Sequence, residues 1–390
     1  MENPDYDVVI IGGGPAGLTL GKALGKKHRV LVVEEHEKIG KPLQCAGLVS
    51  SRVLELTKLW DCVVAKFNGA TLYSPSWKDF RFSANTIKAY AIDREKFDEK
   101  LGERYRRYGE LSLNTKLIGA KVNEGKVEVV LRNKHGEKKL TAKVVVGADG
   151  VVSTTRKLFK FNEPEEYIAT YGAEVKNFGV KEVEIYTGRN FAPGFFGWAV
   201  PCGDYVRLGI GSAEGHPKRY FDALVEEIQK RRNVKIEKVR TITGAIPLGL
   251  YDEFVKDNVV LVGDAACHVK PISGGGLYLG ISAALICADV LERALLENNF
   301  SKKRMGEYPR RFLQTFKKEI KFGMRARKVL RNISDETVET AVEILCSCAE
   351  AKNVIAKYGD IDYPSLLLKP LLKHCPKLVK LALPSISDML

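Results

Sequence analysis

A chain of 390 residues with 45% hydrophobic and 28% charged content is long enough for two or three domains and a large core, which excludes a disordered chain and a disulfide-framed miniprotein. No run approaches the ~18 uninterrupted apolar residues of a membrane span, and residues 1 to 5 lack the basic start and apolar stretch of a secretion signal, so a cytoplasmic protein is expected. The net charge of +14 is concentrated: between Ser301 and Arg331 stand twelve Lys or Arg against two Glu, which suits an anionic partner or simply a solvated helix face.

The first 35 residues read as a βαβ unit. An apolar run, Val8-Val9-Ile10-Ile11, meets Gly12-Gly13-Gly14-Pro15-Ala16-Gly17; a helical pattern follows, and a second run, Val30-Leu31-Val32-Val33, ends in Glu34. G-x-G-x-x-G at the first turn, with a carboxylate 22 residues after Gly12, is the fingerprint of dinucleotide binding. Gly12 permits the tight turn, Gly14 lets backbone approach a pyrophosphate, Gly17 lets the helix sit close to the sheet, and Glu34 meets the adenosine ribose.

Ile92-Asp93-Arg94-x-x-Phe97-Asp98 reads as a helix start capped by Asp93, with Arg94 free to face an anion or to pair with Asp98 one turn on. Lys143 to Gly150 is a buried strand closing in Asp149-Gly150, followed by Ser153 and Arg156. Phe191, Phe195, Phe196 and Trp198 are core aromatics, and the period-two spacing of Phe196, Trp198 and Val200 is that of a half-buried strand, which can also wall an apolar slot. A third strand, Asn258 to Val262, ends in Gly263-Asp264; Pro271 and Gly274-Gly275-Gly276 then open an apolar helix from Leu277 to about Leu296. Ligands of open parallel sheets sit at the carboxyl ends of strands, so Gly12, Glu34, Asp149 and Asp264 are expected in one crevice.

Leu313, Phe316, Ile320 and Met324 form an apolar stripe at helical spacing inside the basic run. The leucine-rich, lysine-studded tail from Pro364 to Leu383 suits either a membrane interface or short helices packed on the rest of the chain, with Pro370 and Pro376 breaking any single long helix. Eight cysteines, at 45, 62, 202, 267, 287, 346, 348 and 375, show no C-x-x-C pair. Free, mostly buried thiols are expected, with no metal site.

Gly12-x-Gly14-x-x-Gly17, Asp149-Gly150-x-x-Ser153-x-x-Arg156 and Gly263-Asp264 together resemble the three fingerprints of FAD-dependent enzymes of the p-hydroxybenzoate hydroxylase type. The resemblance implies FAD as cofactor, Asp264 at its ribityl chain, Gly275, Gly276 and Leu277 beside the flavin ring, and Arg94 reaching the cofactor. Pro15, Ala16, Glu35, Cys45, Ala46, Leu117 and Asp149 complete the implied cofactor-binding set.

Within that superfamily two further segments are similar to archaeal geranylgeranyl reductases. Ile39 to Gly47 matches a flavin-side loop carrying Cys45, and Phe196-Gly197-Trp198-Ala199-Val200-Pro201 with Gly209-Ile210-Gly211 matches a Y-x-W-x-F-P…G-x-G substrate wall. Phe196, Val200, Ala46 and Lys270 depart from that family's usual tyrosine, phenylalanine, glycine and acidic residue.

The resemblance implies an α/β fold. A Rossmann-like FAD-binding domain would comprise residues 1–65, 90–160 and 240–300; an inserted antiparallel-sheet substrate domain would comprise 66–89 and 161–239; a C-terminal helical region would begin at 301. The implied activity is FAD-dependent saturation of geranylgeranyl chains in archaeal ether phospholipids, with Cys45 as proton source or relay and Trp198 and Phe196 as an electron-rich wall. A flavin monooxygenase acting on an aromatic or polyprenylated ring and an electron-transfer flavoprotein are the rival readings. With one dinucleotide fingerprint, the electron donor, ferredoxin or NAD(P)H, binds transiently. Peripheral membrane contact is compatible with the polyprenyl lipid substrate, and no nucleic-acid module is present.

Overall fold

The computed structural model describes residues 3–379 and 381. β1 (Tyr6–Ile11), α1 (Pro15–Leu24) and β2 (Val30–Val33) form where the apolar runs and the glycine turn place them. α2 (Arg94–Arg106) starts at Asp93, whose carboxylate accepts from the Lys96 amide. β3 (Gly136–Gly147), β4 (Val259–Leu261) and α3 (Leu277–Leu296) follow. The strands assemble with Glu110–Ser112 in the order β4-β3-β1-β2-(Glu110–Ser112), all neighbours parallel, with Val9 opposite both Val145 and Leu31. The antiparallel strands Lys116–Asn123, Lys126–Asn133 and Val255–Lys256 complete this eight-stranded sheet.

β1 and β2 are apolar along nearly their whole length because a parallel sheet is buried on both faces, and all four residues of β2 and the last four of β1 are buried here. Val8, Val9 and Ile10 are fully buried, each burial stabilising by about 1.5–3 kcal/mol. The resulting fold is Rossmann-like, with a second, seven-stranded sheet inserted.

The second sheet runs, from edge to edge, Lys238–Leu248, Glu166–Lys176, Tyr205–Ser212, Gly197–Cys202, Val183–Tyr186, Gly69–Tyr73 and Asp79–Ser83. It is antiparallel except where Val183–Tyr186 pairs parallel with Gly69–Tyr73, a junction of distant segments that strand patterning does not reveal. A three-stranded sheet, Leu48–Val49 with Ala89–Ile92 and Val63–Phe67, joins the two.

The basic run is α4 (Glu307–Asn332). Phe316 and Ile320 are buried and Leu313 and Met324 are partly buried, joined by Tyr308 and Phe312, so this helix belongs to the main core while most of its charges face out, the buried Arg327, which pairs with Glu166, being the exception. α5 (Asp335–Ser347), α6 (Ala351–Tyr358) and α7 (Ser365–His374) pack on the second sheet through Phe80, Val342, Ala351 and Cys375. α7 continues through Pro370, where a break is expected. The ring removes one helical bond, to the carbonyl of Leu366, an exposed residue. The helix stops just before Cys375-Pro376, since a residue preceding proline avoids helical backbone. Lys380, Ala382 and Leu383 of the leucine-rich tail lie outside the described residues. No helix of the described residues is long and apolar enough to cross a membrane.

The expectation of free thiols is corrected at one pair: Cys348 and Cys375 form a disulfide, closing 27 residues of α5–α7. Sequence spacing could not show it, because the pairing comes from helices folding back on one another. Cys346, two residues away, stays free and exposed; Cys45 and Cys202 are half-buried, and Cys62, Cys267 and Cys287 are buried. Alkylation of the unfolded protein without reductant is therefore expected to label six of the eight cysteines, and all eight after reduction. Mass spectrometry reads the difference, and eight labels without reductant would refute the pairing.

Candidate functional site

A cleft of about 510 Å³ opens along the carboxyl ends of β1, β2, β3 and β4. Gly12, Gly13, Gly14, Pro15 and Ala16 form one wall, Glu34, Glu35 and His36 a second, and Asp149, Asp264, Gly276 and Leu277 a third. Sequence pattern places these segments apart; the parallel sheet brings them together.

The turn after β1 has a steric logic. Gly12 sits at φ +110, and a Cβ there would collide with the Ala148 carbonyl. Gly17 faces the opposite problem, since a Cβ on it would strike the carbonyl oxygen of Gly12. Gly14 is the N-cap of α1, and a Cβ on it would meet nothing within 4 Å. The free space is on the cleft side of a helix N-terminus, where backbone amides and the helix dipole favour an anion.

Glu34 accepts from the Gly13 amide at 2.7 Å, from the His36 amide at 2.9 Å and faces His36 Nδ1 at 2.6 Å. Three hydrogen bonds fix its carboxylate at the end of β2, and His36 is a wall residue that the fingerprint does not mark. Glu35 pairs with Lys116 at 3.0 Å, next to Leu117, which also lines the cleft.

Asp149 lines the cleft but spends its oxygens on the fold. Ser153 Oγ donates to one, and the Thr155 amide and hydroxyl donate to the other at 2.8 and 3.0 Å. It thereby anchors the helical turn Thr154–Leu158, whose fully buried Arg156 reaches the carbonyls of Val151 and Ala265. Asp264 differs: no described residue donates a hydrogen bond to its carboxylate. Burial pushes its pKa up to about 6 against the pull of Arg94. A cleft carboxylate in that condition suits the hydroxyl groups of a ligand.

Arg94 also faces the cleft, at the start of α2. Its guanidinium grips Asp98 at 2.8 and 3.2 Å, so the pairing weighed against anion binding is present, but inside the cleft wall. Burial pushes the Asp98 pKa up while Arg94 holds it down. Cys45, on the loop from Pro42 to Gly47, lies beside the Arg94 guanidinium, and its sulfur accepts from the Gly47 amide at 3.3 Å. Behind that loop Arg207, nearly buried, donates to the carbonyls of Ala46 and Ile92 at 3.1 and 2.8 Å and to Glu174 at 3.0 Å. Nothing in its local sequence marks it, because its partners come from three distant segments.

Several expected wall residues stand back from the cleft. Gly17, Ala46 and Gly275 do not line it, although each borders a residue that does. Phe196 and Trp198 do not line it either. Phe196 stacks on Phe195 with ring centres 4.4 Å apart and meets Trp198 edge-on at 6.0 Å. Phe195 touches the wall, lying against Gly274, and Trp198 packs over Gly209 in a cluster with Ala46. Gly244, Ala245 and Ile246, at the end of the strand Lys238–Leu248, line the cleft without any motif to announce them. Among the described residues no cluster of His, Cys, Asp and Glu is arranged to hold a metal ion.

The turn after β4 depends on His268. Its Nδ1 accepts the Gly263 amide at 3.1 Å, and its ring packs among Phe254, Tyr308 and Phe312. Complete desolvation pushes its pKa down to about 3.

The profile of the lycopene cyclase protein family matches residues 7–329. An uncharacterized protein of Methanocaldococcus jannaschii is 36% identical over 96% of both chains. Digeranylgeranylglycerophospholipid reductases of Methanocaldococcus jannaschii and Methanosarcina acetivorans are each 28% identical, over 88% of this chain and 91% of the relative for the first and over 87% and 88% for the second. The crystal structure of a geranylgeranyl bacteriochlorophyll reductase-like protein from Thermoplasma acidophilum has the same fold, with a TM-score of 0.85 over 99% of both chains at 23% identity. A halogenase crystallised in complex with FAD shares it at a TM-score of 0.67 and 14% identity, over 96% of this chain and 85% of the other.

Two outcomes are expected from this geometry. Gly17→Ala costs about 2 kcal/mol or more of unfolding free energy, whereas Gly14→Ala changes it by less than about 0.5 kcal/mol, as denaturant titration measures. A folded-state pKa below the ordinary histidine value means that stability from neutral His268 is complete above about pH 6.5 and is lost as pH falls toward 3. His268→Asn, which keeps an acceptor for Gly263, flattens that acid limb.

Proposed function

This chain belongs to the lycopene cyclase protein family and has geranylgeranyl-type reductases among its relatives, and on that premise we propose that it is a flavoprotein reductase that binds FAD in the cleft and saturates C=C bonds of geranylgeranyl chains on archaeal ether phospholipids. The observation that carries the reading is the arrangement along the cleft. An open helix N-terminus at Gly14, the hydrogen-bonded Glu34 and the unpartnered Asp264 lie where a dinucleotide's pyrophosphate, adenosine ribose and ribityl chain require an anion site, a ribose acceptor and a hydroxyl acceptor. The residues present therefore fit FAD. When bound and reduced, it supplies a hydride equivalent.

Arg94 holds Asp98 and offers its remaining donor surface to the cofactor side of the cleft. Cys45 Sγ, between the Gly47 amide and Arg94, holds the proton that the alkene must receive, because an isolated alkene does not accept hydride unaided. Leu43, Ile246 and Leu277 give the apolar lining that a hydrocarbon chain requires. Phe196 and Trp198 act from behind that lining, stacking Phe195 against Gly274 and shaping the slot rather than touching the cofactor. Lys317, Lys321 and Lys328, exposed on one face of α4 without an ion-pair partner among the described residues, would meet the lipid phosphate at a membrane surface. Electrons come from a transient donor, ferredoxin or NAD(P)H.

The experiment is anaerobic incubation of the chemically reduced protein with unsaturated archaeal phospholipid, followed by mass spectrometry. Mass gains in steps of two hydrogens are expected, with at least a tenfold slower gain in Cys45→Ser that retains FAD. Purified protein that takes up no FAD, or gives no gain while hydroxylating an aromatic ring in the presence of oxygen and NAD(P)H, would defeat the reading.

A further inference from the structure

Lys270 precedes Pro271 at the start of the turn that becomes the Gly274–Gly276 wall of the cleft. Its side chain runs beneath that wall: a Cβ on Gly275 would lie 2.8 Å from Lys270 Cε and 3.1 Å from Nζ. Backbone bonds close the same turn, the Lys270 amide donating to Gly275 at 3.2 Å and the Gly274 amide donating to Lys270 at 2.9 Å. The ammonium is 91 residues or more from its partners in sequence, donating to the Ile361 carbonyl and to Asp362 Oδ1, both at 2.8 Å.

Asp362 is equally committed. Its side chain is 1% exposed, and its second oxygen receives Arg52 at 3.0 Å. Arg52 in turn clasps Asp360 at 2.7 and 3.0 Å, while Asp360 accepts the amides of Asp362 and Tyr363. The guanidinium lies over Tyr363 and Tyr278, whose hydroxyls are 3.0 Å apart, with Tyr278 on the first turn of α3 beside the wall. Two cations and two carboxylates thus cancel immediately behind the turn. The C-terminal segment supplies both anions.

We infer that Asp362 is a positioning residue for the cleft: it holds Lys270 and, through it, the 270–276 turn, and it cancels the ammonium charge, so that the pairing of Lys270 with Asp362 keeps either charge from shifting the redox potential of the flavin seated against this wall. The inference rests on the FAD reading above. Two-electron reduction of a flavin with uptake of one proton leaves it one negative charge richer, and a buried charge a few side chains away acts on that difference through a poorly screening interior. An uncancelled Lys270 ammonium favours the reduced form. An uncancelled Asp362 carboxylate opposes it.

The test measures the two-electron midpoint potential of the FAD-loaded full chain, by xanthine and xanthine oxidase reduction against a reference dye. Asp362→Asn is expected to shift the potential upward, Lys270→Met to shift it downward, and the double variant Lys270→Met with Asp362→Asn to return it to the unsubstituted value. A purely structural pair would move both single variants in the same direction and the double variant at least as far. That outcome, or three potentials equal to the parent's, overturns the inference. Desalted protein that carries no flavin absorbance instead brings down the FAD reading, and this inference with it; flavin bound with unchanged potentials removes this inference alone.

Discussion

The contact on which the rest of the molecule depends is the approach of α1 to the end of β1, where Gly17 stands against the carbonyl of Gly12 with no room for a methyl group. That proximity aims the α1 amides along the sheet edge. It also seats Ala148 against Gly12, which carries Asp149 and the turn after β3 to the same edge. β2 adds Glu34 on one side and β4 adds Asp264 on the other. A cleft of this kind is a property of parallel sheet order, and it exists only because the first turn lets helix and strand close on each other.

What the chain announces and what it conceals divide along sequence distance. β1, α1, β2, Asp93 as a cap, and α3 from Leu277 to Leu296 were legible because each follows from residues within a few turns of one another. The positions of Asp149 and Asp264 were legible because strand ends define a sheet edge. The chemical state of those two was not: one carboxylate is saturated by Ser153 and Thr155, and the other is left without a donor, a distinction made by folded geometry.

Pairings between remote segments were invisible for the same reason. Cys348 with Cys375, Arg207 with the Ala46 carbonyl, and the parallel register of Val183–Tyr186 on Gly69–Tyr73 leave no periodic or motif signal. The aromatic segment shows a subtler limit. Its alternation correctly indicates a strand, yet alternation says only which residues share a face, and here the half-buried Phe196 and Trp198 stand outside the cleft lining, reaching it through Phe195. Lys270 illustrates the converse. It stands out as a departure in sequence, and its meaning emerges only when the segment around Asp362 folds back beside Arg52.

The helices α5, α6 and α7 have a further consequence through the strand they cover. Asp79–Ser83 is the outermost strand of the seven-stranded sheet, and its Phe80 is buried beneath Val342, Ala351 and the Cys375 end of the disulfide. Uncovered sheet margins recruit strands from neighbouring molecules and seed aggregation. A lid of stapled helices over this one means that a disulfide helps to keep that margin shielded, so strongly reducing storage would favour self-association.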